Sequence, residues 1–133
     1  MFGFRGAAVG FSIRKTSNEI LVLDLSGELD RHKGLKQLRE TLKALSPSRE
    51  LRVILNFRDV TYVCSEAVGM VCALADEVRR AGGRAAFCAL NGLPRDVFEI
   101  LGVPKIVRSF STETEALAGL NQDNSPSERR AGA

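Results

Sequence analysis

The chain has 133 residues, the size of one ordinary domain, with 44% apolar and 26% charged residues. Nineteen Lys and Arg against sixteen Asp and Glu leave a net charge of +3, too mild to mark nucleic acid or an anionic membrane as the partner. One His and no Trp exclude a polyhistidine metal site and any catalysis that needs two histidines.

No apolar run approaches the ~20 residues that cross a bilayer, so no membrane insertion is expected. Residues 1–10 read as a loose leader rather than a signal peptide, because Arg5 and three glycines break a short apolar run. The expected compartment is the cytoplasm. Cys64, Cys72 and Cys88 are odd in number and lack CxxC spacing. That argues against a disulfide framework or a zinc ribbon, and they read as small buried hydrophobes.

Phe11 to Arg14 alternates apolar and polar residues, as a half-buried strand does. Thr16-Ser17-Asn18 is turn chemistry, and ILVLDL from Ile20 to Leu25 is a second strand, so the two predict a hairpin. Ser26 to Asp30 is expected to close that strand and lead into a helix. Leu35, Leu38, Leu42 and Leu45 form one helical stripe, ended by Pro47. Leu51 to Phe57 predicts a buried strand, and Arg58 to Val63 reads as the crossing to the next helix.

That helix is predicted from Ser65 to Arg80, with Val68, Val71, Leu74, Ala75 and Val78 buried and Gly82-Gly83 as its stop. Ala67 and Gly69 keep its first turn thin, so that a sheet or a partner can approach. Arg84 to Leu90 is the next strand. Asn91 and Pro94 mark another helix, with Phe98, Ile100 and Leu101 as its apolar side. Ile106 to Phe110 predicts a short last strand. Thr112 and Glu115 fit a capping box, with Leu117 and Leu120 anchoring the final helix. Residues 121–133 have almost no apolar content and read as a disordered tail. The alternation predicts an α/β fold on a mixed five-stranded sheet, an antiparallel hairpin followed by parallel strands, flanked by about four helices, with 11–120 as the folded domain.

Function has to be argued from a site. There is no GxxxxGK[ST] loop, no GxSxG elbow, and Gly3, Gly6 and Gly10 do not match GxGxxG. His32 has no nucleophile placed near it by sequence and reads as a surface residue. An enzyme is therefore not expected, and no cofactor or metal is implied.

Two segments remain: Gly27-Glu28-Leu29-Asp30, and the stretch from Asn56 to Gly69. Both follow buried strands and enter helices, at the sheet edge where α/β proteins bind ligands and partners. With the leucine-spaced helix after GELD, the Val60-Thr61-Tyr62 stretch, Cys64-Ser65-Glu66-Ala67-Val68-Gly69 at a helix start, and the features from Arg79 to Val103, the chain resembles the STAS domain family of bacterial anti-sigma factor antagonists. In that family the helix opens on D-S-S-G, whose second Ser is phosphorylated by an ATP-binding anti-sigma kinase, and phosphorylation breaks binding.

The resemblance puts Cys64 at the Asp, Ser65 at the first Ser and Glu66 at the phosphoacceptor, which a serine kinase cannot use. Ser65 is expected to cap the helix, its hydroxyl accepting an orphan amide. It is also the alternative phosphoacceptor. The resemblance implies a partner surface of Asp30, Asn56, Cys64, Ser65, Glu66 and Gly69, and an anti-sigma factor kinase or related signalling protein as its partner. Asp30 is alternatively a helix cap. The competing implication is a scaffold, or an accessory subunit of a signalling assembly or lipid-transport ATPase. A dimer or larger assembly stays open.

Overall fold

The computed structural model describes residues 10–31 and 34–122. Residues 1–9 and 123–133, read above as leader and tail, and His32 lie outside the described residues.

Strands β1 (Gly10–Lys15), β2 (Leu21–Leu29), β3 (Arg52–Val63), β4 (Arg84–Cys88) and β5 (Arg108–Phe110) form one sheet in the order β1-β2-β3-β4-β5. β1 runs antiparallel to β2, and the other three pairings are parallel. The helices are α1 (Leu35–Ala44), α2 (Ser65–Arg80), α3 (Gly92–Ile100) and α4 (Glu113–Gln122). This is the mixed α/β architecture that the alternation of patterns predicts. α4 continues through Asn121 and Gln122, into the stretch read as tail.

The β2 and β3 side chains divide the core in two. Leu23, Leu25, Val53, Leu55 and Phe57 face α1, α2 and α3, in one cluster with Leu38, Val71, Val78 and Phe98. Val22 and Ile54 face the other way, onto Ala116 and Leu120 of α4. Each large aliphatic side chain buried in this way contributes roughly 1.5–3 kcal/mol before the cost of ordering it. Phe57, Phe87 and Phe98 meet edge to face, with ring centroids 5.3–5.6 Å apart. They lock α3 to the middle of the sheet.

Several expectations need correction. Arg58 to Val63 is not a crossing but the second half of β3, and Ser26 to Leu29 continues β2. β3 carries one extra residue between the pairs Asp24↔Asn56 and Ser26↔Asp59, and another between Gly27↔Val60 and Glu28↔Tyr62. These bulges reset the alternation, so the buried residues become Phe57, Val60 and Val63, three apart. A period of three matches neither a flat strand nor a helix. Gly27 sits at the second irregularity with φ +88°, a conformation glycine takes without strain.

Ile100 and Leu101 do not form the buried side of α3: they are exposed, Ile100 to 82%. Phe98, of the expected apolar side, is buried, and Pro94 with it. Of the cysteines, Cys88 is buried, while Cys64 and Cys72 are half-buried, and all three are free thiols. Ile106 and Val107 precede β5, behind a 3-10 turn at Val103–Lys105.

Candidate functional site

β2 and β3 run on past the end of β4, whose last pairing with β3 is Cys88 with Asn56. Their tips are tied by the Cys64 amide, which donates to the Leu29 carbonyl at 2.9 Å. The chain then turns directly into α2. Its N-cap is Cys64, in an extended conformation, and no side chain caps the helix there. Ser65 is therefore not the cap. It is the first helical residue, exposed, and its hydroxyl has no hydrogen-bond partner among the described residues. Val68 donates to the Cys64 carbonyl to close the first turn.

Glu66 lies in that first turn, exposed, where the helix dipole favours a negative side chain by about 0.3–1 kcal/mol. Its carboxylate accepts a hydrogen bond from Arg31 Nε at 3.1 Å. Arg31 follows Asp30 in the turn after β2. Asp30 does not cap α1: the N-cap is Gly34, which forms a backbone bridge with Asp30. Ala67, next to Glu66, is buried, whereas Gly69, three residues after Glu66, is exposed and a Cβ there would meet no atom within 4 Å.

Asp30, Cys64, Ser65, Glu66 and Gly69 thus share one edge of the molecule, with Arg31 added to them. Asn56 does not join it. It lies seven residues before Val63 on β3, on the order of 20 Å away along an extended strand. Asn56 faces α4 and its side-chain amide donates to Asp24 Oδ1 at 2.9 Å, while its Oδ1 accepts from the Arg58 backbone amide at 3.1 Å. Arg14 also binds Asp24 Oδ1, at 2.9 Å, and reaches Glu113 of α4 at 2.8 Å. This network joins the hairpin strand β1 to the last helix and lines an open cleft of about 590 Å³.

Burial works to raise the Asp24 carboxyl, but hydrogen bonds from Arg14 and Asn56 and the charges of Arg14 and Arg58 outweigh it and hold its pKa low. Arg14 is held above its ordinary value by the hydrogen bonds it donates to Asp24 and then to Glu113. Its charge is matched within the fold. Cys88, below this network, is pushed up to about 12 by burial and by the nearby charges of Glu113 and Asp24, so it stays a neutral thiol.

Sequence reasoning missed Arg31 and the Arg14–Asp24–Glu113 network. Asp24 in the middle of ILVLDL and Asn56 in the middle of LRVILNF are polar residues inside apolar strands, and that signal was available. Nothing in the sequence marks Arg31, because its pairing joins residues 35 apart. Among the described residues no group of three or more His, Cys, Asp or Glu could hold a metal ion. Nor is any helix among them long and apolar enough to cross a membrane.

A five-stranded mixed sheet with helices on both faces, and a bulged strand delivering a helix start to an exposed edge, make up a small α/β fold. The chain belongs to the STAS domain family, whose model matches residues 13–116. It is 24% identical over 101 residues to an anti-sigma F factor antagonist of Paenibacillus polymyxa, covering 76% of this chain and 86% of that one. Its fold superposes on an anti-sigma factor antagonist from Mycobacterium paratuberculosis with a TM-score of 0.75 at 16% identity, covering 88% and 97% of the two chains. It also superposes on the phosphorylated form of the Bacillus cell fate determinant SpoIIAA, with a TM-score of 0.58 at 25% identity, covering 82% and 97%.

Proposed function

We propose that this protein is a regulatory protein-binding module of the anti-sigma factor antagonist type. It engages an ATP-binding anti-sigma kinase, or a related signalling partner in the cytoplasm, through the edge of Asp30, Cys64, Ser65, Glu66 and Gly69. It performs no chemistry of its own. What supports this reading is an exposed Glu66 in the first turn of α2, at the position that the resemblance equates with the family's phosphoacceptor.

Gly69 supports it. Glycine in a helix interior costs about 1 kcal/mol relative to alanine, and nothing among the described residues requires the missing Cβ. A closely approaching partner backbone does. Because Glu66 cannot accept phosphate from a serine kinase, control at that position is lost. Ser65, exposed and free of cap duty, is the hydroxyl left for a kinase to use.

The test is a pull-down from host lysate with wild type and Glu66→Ser as baits, with and without ATP, read by mass spectrometry. The expected result is capture of the same anti-sigma-type ATPase by both, with ATP releasing only Glu66→Ser. Phosphate found on Ser65 of the wild type assigns the displaced acceptor. Capture by both baits of one non-kinase assembly, indifferent to ATP, replaces this reading with that of a scaffold or an accessory subunit of a transport ATPase.

A further inference from the structure

Resting on the reading of Glu66 as the phosphoacceptor-equivalent position, we propose that Arg31 decides which state the edge displays: by pairing with Glu66 it keeps the surface binding-competent instead of phosphate-like.

The two residues come from different elements, Arg31 from the turn after β2 and Glu66 from the first turn of α2, and they meet at 3.1 Å. A phosphoserine at that position would bring about −1.5 to −2 charges. A bare Glu brings one. Glu66 paired with Arg31 brings none, as an unmodified serine does. The charge that these two residues together present to a partner is therefore set by Arg31 as much as by Glu66.

The pair is open to water, with side-chain exposures of 72% for Arg31 and 51% for Glu66. Exposed ion pairs add little to folding, so this one acts mainly through what the edge presents. When a partner excludes water from the edge, an unpaired carboxylate loses its hydration without compensation. A carboxylate already held by a guanidinium enters the interface as a matched pair. The fixed charge at Glu66 then stops being a permanent off signal, and the module binds whether or not ATP is present.

The experiment uses each anti-sigma-type ATPase of the host, expressed and purified singly, and titrates it with wild type, Arg31→Ala, Glu66→Gln and the double variant at 0.15 M salt. The expected result is that Arg31→Ala binds about tenfold or more weakly than wild type. The double variant is expected to return to within about threefold of wild type, because no bare carboxylate remains to be buried. Arg31→Ala binding as well as wild type overturns the proposal while leaving the functional reading intact. So does a double variant as weak as Arg31→Ala, since Arg31 would then be a direct partner contact. If neither wild type nor Glu66→Gln binds any of the ATPases, the functional reading fails and the role of Arg31 falls with it. Both sites are exposed, and matching melting curves of the four proteins confirm that folding is not what is being measured.

Discussion

The two ends of α2 are built on opposite terms. At its carboxyl end the helix is sealed by its own chain. Gly82 takes φ +95°, the Gly83 amide donates to the Val78 carbonyl at 2.9 Å, and a Cβ on Gly83 would collide with the carbonyl oxygens of Leu51 and Ser48. At its amino end no side chain caps the helix, Ser65 is exposed, and Gly69 leaves open space. At the first end Gly83 is explained by packing inside the molecule. At the second end, among the described residues, nothing fills the space beside Gly69, and the proposed partner is what would use it.

Gly83→Ala tests the sealed end and carries the largest expected effect. Backbone carbonyls cannot swing aside, so the substitution should cost about 3 kcal/mol, seen as a lower midpoint in urea unfolding. Gly69→Ala should go the other way and raise stability by about 1 kcal/mol, while weakening partner binding. Destabilisation by Gly69→Ala would show that the open end is packed after all.

The Asp24 carboxylate gives a third, pH-dependent contrast, on the α4 face. Its pKa is depressed in the folded state, so its contribution to stability is complete above the ordinary value of about 3.8 and is lost as pH falls through the lower folded value. Asp24→Asn should flatten that acid limb and cost about 1 kcal/mol at neutral pH, measured by urea unfolding across the acid range. The same measurement on Ile100→Lys should change stability by less than about 0.5 kcal/mol, because that side chain is 82% exposed.

The helix of the candidate site was legible because its apolar residues repeat on one face and its stop is a glycine pair. The structure begins and ends α2 at Ser65 and Arg80, as the pattern predicts. The approach to it was not legible. Two bulges give Phe57, Val60 and Val63 a spacing of three, and a rule built on periods of two and 3.6 takes that for a loop. Asn56 moves with it: a loop over 58–63 places it at the mouth of the site, and the strand places it on the order of 20 Å below. Arg31 was hidden because an ion pair between separate elements leaves no local trace. Ile100 and Leu101 misled in the other direction, since apolar character was taken to mean burial.

The overhang of β2 and β3 has a mechanical consequence. From Asp59 onward, β3 is paired only with β2 among the described residues, whereas Val53 to Asn56 is paired on both sides. Segments with fewer ladder partners open at lower free energy than the body of a sheet. Amide hydrogen exchange should therefore be faster at Val60 to Val63 than at Val53 to Asn56, and slow at the tip when a partner docks. The fold carries its candidate edge on a tip paired to one neighbouring strand, while the sheet beneath it is paired on both sides.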